Sequence, residues 1–391
     1  MFFARWFRTY MYHGRSKMLA PGGRAVLWLG AMLSVAAFGR IAYADQPLPS
    51  AEFRYDFNGQ WTPFAIAIDK SRHVWLTDFF NNAVWELDHS GNVMNATSLP
   101  APAGVAIDAS GHVWVAASDF VAELDSSDKV IAVFDNSDTS SADFACPQNV
   151  RIDSSGHVWV LNQCGNSVTE LIPATGTALN FNNSNNPSPN FNFPQAMSID
   201  KSGNLWVANL AGNSVTELDS SGRAIRFFDN TNTPGANFAM PNSIAFDKRG
   251  NAWIVNAGTY ADLGSLTELN ASGGLIKNFN NRNSPGASFD SPQVAAIDNA
   301  GRIWVSNLGG SVTELDSNGK AIANLSQPGV GFSQPVGIAI AKDGTIWVAN
   351  AAFNSPGNGF LTLIAGVAVG PEYFPYGGLW SSQGPQWPGG F

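Results

Sequence analysis

The sequence is poor in the residues from which many catalytic and metal-binding sites are built. It holds two cysteines and five histidines in 391 residues. No Cys-x-x-Cys pair occurs, which removes a thiolate zinc cage and a dithiol redox centre. Beyond His157 there is no histidine at all, so more than half of the chain offers no imidazole to act as base, acid or metal ligand. Charged residues make up only 13%. There is no phosphate-cradling glycine loop and no Ser–His–Asp arrangement. No apolar run reaches the roughly 18–20 residues that cross a bilayer as a helix.

The one long apolar run lies near the start. Residues 1–24 contain Arg5, Arg8, Arg15, Lys17 and Arg24 with no acidic residue; the apolar stretch 25–39 follows, and then the small-x-small sequence Ala42-Tyr43-Ala44. This order predicts a secretory signal peptide over residues 1–44, cut after Ala44, with an uncleaved anchor as the alternative. The chain beyond Ala44 would then be exported, periplasmic or extracellular, with no transmembrane segment. Residues 1–44 hold six of the 21 Lys and Arg and none of the 30 Asp and Glu, so the mature chain has a formal charge of −15. Such an acidic chain has no footprint for nucleic acid or for an anionic membrane face.

What the sequence has in abundance is a repeat. Pro194 and Trp206 lie twelve residues apart, and the same interval returns as Pro63/Trp75, Pro102/Trp114, Pro147/Trp159, Pro241/Trp253, Pro292/Trp304 and Pro335/Trp347. Successive tryptophans are 39, 45, 47, 47, 51 and 43 residues apart. A fixed interval within copies and a variable one between them describes a rigid unit joined by adjustable loops. Each copy contains four short segments with period-2 alternation, bounded by Ser, Gly and Asn turns, and links this tight make antiparallel hairpins. A four-stranded meander a–b–c–d cannot bury both faces alone and must stack on neighbours. Repeated radially, such units form an all-β, seven-bladed β-propeller.

The last copy lacks a clear fourth strand, whereas AEFRYDFNGQ (51–60) resembles the fourth strands of other copies. The N-terminal segment is therefore expected to complete blade 7 and close the ring, a d strand over 367–369 being the alternative. The propeller is expected over 51–369. Residues 370–391 form a Gly/Pro/aromatic tail that cannot make a core of its own.

The repeated residues read mostly as builders. The tryptophans are expected between blades. The acids six residues after the proline (Asp69, Asp108, Asp153, Asp200, Asp247 and Asp298) are expected to hold turns. The small residues four after the proline suit the crowded axis. Glu170, Glu217, Glu268 and Glu314, in recurring Thr-Glu-Leu, are read as blade-surface residues.

The phrase P-x-x-I-A-I-D-x-S-G-x-x-W-V-x-N…S-V-T-E-L-D-x-x-G resembles the NHL-type repeat. In its seven-fold form it is similar to the virginiamycin B lyase (streptogramin lyase) group of bacterial propellers. The resemblance covers about residues 51–369 and implies the fold. It also implies a carbon–oxygen lyase with a histidine base in a late blade, on the face that carries the channel mouth. In this chain His73, His112 and His157 fall in the a–b turns and His89 in a c–d turn, all on the opposite face, and no late histidine exists. The family's catalytic residues cannot be carried over, and the catalytic set is unknown.

The channel face has its own polar residues. One residue after the proline, blades 3 to 6 carry Gln148, Gln195, Asn242 and Gln293, while blades 1, 2 and 7 carry Phe64, Ala103 and Val336. Three after the tryptophan stand Asp78, Asn162, Asn209, Asn256, Asn307 and Asn350. These amides either satisfy the backbone at strand ends or line a mouth for a polar ligand. Arg151 holds a position that is Ala or Ser in the other six blades, and is expected to point into the channel, bonded to carbonyls or Asp78, or binding an anion. Regular hairpin register places Cys146 opposite Cys164, which predicts a disulfide in an exported protein. No metal site or cofactor is expected; Mg²⁺ or Ca²⁺ at the mouth, beside Asp78, is the alternative. The leading expectation is a module that binds a polar small molecule or a protein partner through the channel face. A lyase or hydrolase using groups other than histidine is the alternative.

Overall fold

The structure, a computed structural model, describes residues 51–56, 62–186, 188–259, 263–326, 332–352 and 359–365, with only the backbone of 51–56. The expected leader, the alternative strand at 367–369 and the tail lie outside them. The described residues form seven four-stranded antiparallel sheets and no helix. None of them is therefore in a helix long and apolar enough to cross a membrane.

Blade 4 shows the unit. Strand a is Pro194–Ile199, strand b Leu205–Asn209, strand c Ser214–Leu218 and strand d Ala224–Asp229. Strands a and b turn through Asp200, whose Oδ1 accepts from the amides of Ser202 (2.8 Å) and Asn204 (2.9 Å). Its Oδ2 accepts from the Trp206 indole at 3.2 Å. The acid expected to hold a turn thus also anchors the tryptophan, and the twelve-residue interval is the length of one a–b hairpin with that anchor inside it.

Blade 7 closes as the N-terminal segment predicts. Ala51–Asp56 pairs antiparallel with Phe360–Ala365, from Ala51 opposite Ala365 to Asp56 opposite Phe360, and its sheet order is d-c-b-a with d from the start of the chain. Both ends of the propeller are thereby stitched into one sheet, which leaves no unpaired blade edge facing a gap.

The core lies between blades. Trp206 stacks on Phe228 of its own d strand (centroids 5.3 Å apart, 10° between planes) and meets Phe246 of blade 5 edge-on at 5.7 Å. The pairs Trp114–Phe134, Trp159–Phe181 and Trp253–Phe279 stack in the same way. The next blade closes over the phenylalanine with a glycine turn. Gly222 has φ +78°, and a Cβ there would lie 2.3 Å from the Phe181 ring. Glycine is needed twice, for the left-handed backbone and for the ring beneath it.

Blade 2 breaks this rule and compensates. Asp128 stands where the other turns have glycine, at φ +63°, and the preceding blade offers Thr97 instead of a phenylalanine. The Thr97 hydroxyl donates to the Asp128 carbonyl at 2.7 Å. The Asp128 side chain is 8% exposed and its Oδ1 finds no donor. Burial raises its carboxyl to about 6, with Glu86 and Asp125 adding repulsion against the Thr97 hydrogen bond. A carboxyl that binds its proton more tightly when folded stabilises the fold at low pH, and that contribution is lost as pH rises from about 4 through 6. Asp128→Asn, which keeps the shape and tolerates the left-handed backbone, is expected to stabilise the protein at pH 7 by about 1 kcal/mol. It should also flatten stability between pH 4 and 6 in urea titrations; an unchanged pH slope would refute the assignment.

The small residues four after the proline, on the innermost strands, face the next blade: Ala106 of blade 2 clusters with Val150 and Ile152 of blade 3, and Ala245 of blade 5 with Ala295 and Ile297 of blade 6. One expectation about the blade interior is corrected: the Thr-Glu-Leu acids are not on the surface. Glu170, Glu217, Glu268 and Glu314 are at most 6% exposed, because strand c lies inside the sheet between b and d.

Candidate functional site

In this meander the a–b and c–d turns share one face, and the d–a and b–c links share the other, where the channel opens. The channel face is built on order. In four d–a links an asparagine clamps a phenylalanine eight residues on. Asn183 Nδ2 donates to the Phe191 carbonyl (2.8 Å) while the Phe191 amide donates to Asn183 Oδ1 (2.8 Å). Asn136–Phe144, Asn230–Phe238 and Asn281–Phe289 repeat the pair. The eight-residue Asn–Phe spacing is visible in the sequence, but it lies in loops, where strand alternation gives no reason to look.

The second device is a bulge. In every blade the a–b register slips just after the repeat proline. In blade 3, Pro147 lies opposite Asn162 but Asn149 lies opposite Leu161, so Gln148 is the extra residue. The slip falls between Pro194 and Ala196, Pro241 and Ser243, and Pro292 and Val294 as well. Gln195, Asn242 and Gln293 are therefore all bulge residues. A bulge frees its side chain from the in–out alternation and re-aims it. These amides link blades: Gln163 Nε2 donates to Gln195 Oε1 at 2.5 Å, and Asn242 Nδ2 to Gln293 Oε1 at 2.9 Å. Gln148 is 8% exposed and Gln163 6%; Gln195, Asn242 and Gln293 are half-buried. Blade 1, on the other side of the ring, presents Phe64 and Phe79 with centroids 6.2 Å apart, and Phe79 meets Phe80 edge-on at 5.3 Å. Phe80 is 37% exposed.

The strand-b residues have a different setting. Asn162, Asn209, Asn256, Asn307 and Asn350 are fully buried. Their Nδ2 groups donate to hydroxyls of strand c: Asn162 to Thr169 (2.8 Å), Asn209 to Thr216 (3.0 Å), Asn256 to Thr267 (2.9 Å), Asn307 to Thr313 (3.0 Å) and Asn350 to Thr362 (3.0 Å). Asp78 is fully buried as well. It accepts from the Asn81 side chain at 2.8 and 2.9 Å and from the Thr62 amide at 3.3 Å, while burial pushes its carboxyl up. Its oxygens are already engaged by these donors, and the side chain has no exposure.

Cys146 and Cys164 form a disulfide, with Cα atoms 5.3 Å apart. Regular register would set them opposite; the bulge instead pairs Cys146 with Gln163, whose amide donates to the Cys146 carbonyl at 3.1 Å. The bond forms across the diagonal and ties the d–a link of blade 3 to its b–c link, beside Gln148. Arg151 is 2% exposed. Its Nη1 donates to the Val150 carbonyl at 2.6 Å, and it makes no bond to Asp78.

The opposite face carries three clusters that sequence reading passed over. Asp69, His73 and Glu86, then Asp108, His112 and Glu123, then Asp153, His157 and Glu170, each bring possible metal-ligand atoms within 4.8 Å of one another. The histidine Nδ1 lies 2.8, 2.8 and 2.6 Å from the glutamate. Blades 4 to 6 explain the arrangement. There Asn204, Asn251 and Arg302 occupy the histidine's position and donate to the same glutamate at 2.9, 2.8 and 2.8 Å. The constant feature is a donor between two carboxylates, and neither an amide nitrogen nor a guanidinium ligates a metal. Burial raises the Glu123 and Glu170 carboxyls, against the pull of His112 and His157. His157→Asn should therefore shift the urea midpoint by less than about 0.5 kcal/mol, whereas His157→Ala, which strands Glu170, should cost about 1–3 kcal/mol. Equal losses in the two variants would refute the donor role.

Together the seven four-stranded blades and the channel-face bulges define a β-propeller of the streptogramin-lyase-like architecture. Solved structures agree. A streptogramin B lyase superposes with TM-score 0.63 at 17% identity, covering 80% of this chain and 97% of its own. Virginiamycin B lyase from Staphylococcus aureus, in a catalytically inactive form with quinupristin, superposes with TM-score 0.64 at 18% identity, covering 81% and 99%. Hydrazine synthase from Kuenenia stuttgartiensis superposes with TM-score 0.60 at 15% identity, covering 78% and 96%. No protein-family model and no curated protein sequence matches the chain. At these identities the likeness is one of fold.

Proposed function

We propose that this chain is an exported binding module whose channel face takes a small ligand with both a polar and an apolar side. The observation that carries this reading is the division of the mouth. Bulged amides occupy blades 3 to 6, and Phe64, Phe79 and Phe80 occupy blade 1. Amides give directional hydrogen bonds, and aromatic faces give contact area without charge, which suits a peptide or a sugar with an apolar substituent. The clamped d–a links hold these groups in place before binding, which lowers the ordering cost. The disulfide fits an oxidising compartment, in keeping with the leader.

A second reading, a lyase acting on a cyclic depsipeptide lactone, is supported by the fold likeness to virginiamycin B lyase. It would require groups other than histidine, since none follows His157. One experiment separates the two. The mature protein is screened by thermal shift against peptides, glycosides, lactones and cyclic depsipeptides, with and without Mg²⁺ or Ca²⁺, and products are followed by mass spectrometry. Binding without turnover, weakened about tenfold or more in Gln148→Ala/Gln195→Ala, is expected. Metal-dependent ring opening would replace the binding reading with the lyase. No shift in any arm, or a shift unchanged in the variant, would remove the channel face as the site.

A further inference from the structure

Among the described residues, Arg151 is a buried cation without a counter-charge. It lies on strand a of blade 3, on the face turned to blade 4, where the other blades have Ala or Ser. The Nη1–Val150 carbonyl bond holds the guanidinium against its own strand. Nη2 finds no acceptor among the described residues. Burial lowers the group to about 9 and no charged neighbour offsets this, so it still carries its proton at neutral pH. Two residues earlier on the same face, Asn149 is 5% exposed and its Oδ1 has no donor. A half-turn of that amide presents Nδ2 to the same side of the strand. An unpaired buried charge is among the costlier features a fold can keep, and the net charge of the mature chain does not relieve it, since screening from distant surface acids is weak inside.

We propose that Arg151 and Asn149 hold a small monovalent anion, either a halide or a carboxylate group, at the inner edge of the cleft between blades 3 and 4. The site is separate from the bulged amides of the mouth, and stands or falls independently of the ligand proposed there. A guanidinium with one free edge and an amide donor match a single negative charge with open lone pairs, whereas a phosphate or sulfate would ask for more donors than the strand face supplies.

The test uses the mature protein at constant ionic strength, with sodium gluconate replaced stepwise by chloride, bromide or formate. A saturable rise in Tm of about 3–5 °C is expected in at least one arm, and its loss is expected in Arg151→Met. A response to halide but not formate assigns the site to a free ion; a response to formate assigns it to a carboxylate. Crystals grown in bromide and in formate should show, in at least one, an anomalous bromide peak or a formate within hydrogen-bonding distance of Nη2. If Arg151→Met does not fold, that density in the wild-type protein decides. Equal salt responses in both proteins, or water at Nη2 in both crystals, would overturn the proposal.

Discussion

Trp206→Ala is expected to lower the stability of the propeller by about 4 kcal/mol. Trp206 is 1% exposed and its contacts reach two blades: Phe228 stacks on one side and Phe246 of blade 5 meets it edge-on. The substitution opens a cavity in the cluster that also contains Ile244, Ile254 and Leu269. It also strands Asp200 Oδ2, which accepts from the indole at 3.2 Å. Trp206→Phe keeps most of the volume and loses only the indole hydrogen bond, so a cost of about 1–2 kcal/mol is expected. Urea unfolding followed by far-UV circular dichroism measures both. Similar losses in the two variants would mean that the hydrogen bond to Asp200, not the packing between blades, holds this position.

The second large effect is expected at the disulfide. Cys146 and Cys164 are separated by 18 residues, and opening a loop of this size costs about 3 kcal/mol on the chain-entropy account. The Cys146→Ser/Cys164→Ser variant should therefore melt about 4–5 °C below the wild type. The loss has a local signature as well. The bond joins the d–a and b–c links of blade 3, so amide exchange at Gln148 and Gln163 should quicken before that of strands b and c, which are buried and fully paired. The denatured wild-type protein should titrate no free thiol. Two thiols, or uniform loosening of all blades, would refute this account.

Much of this architecture follows from local pattern. The Pro–Trp interval spans one hairpin, and a hairpin is set by neighbours in sequence. The strand character of 51–56 and the weak end of the last copy point to closure because pairing needs only a matching edge. The Cys146–Cys164 bond could be read from hairpin register even though a bulge shifts that register by one, since a disulfide tolerates a diagonal pair. The turn acids were legible for their backbone bonds and not for their bonds to tryptophan, which depend on how the indole swings over the hairpin.

What sequence alone could establish, then, is the unit, its number and its closure, because these rest on contacts a few residues apart. Tertiary structure decided which side chains the blades bury against one another. It buried the Thr-Glu-Leu acids on the inner strand c, turned the strand-b asparagines inward to hydroxyls of strand c, and set Gln148, Gln195, Asn242 and Gln293 on bulges at the channel face. It also left Arg151 facing blade 4 with no carboxylate beside it among the described residues. The bulges rest on a one-residue slip in register and the setting of Arg151 on a neighbouring blade about forty residues away, while the buried asparagines and glutamates find partners 6 to 17 residues off on adjoining strands; none of these is written in the alternation of a single strand.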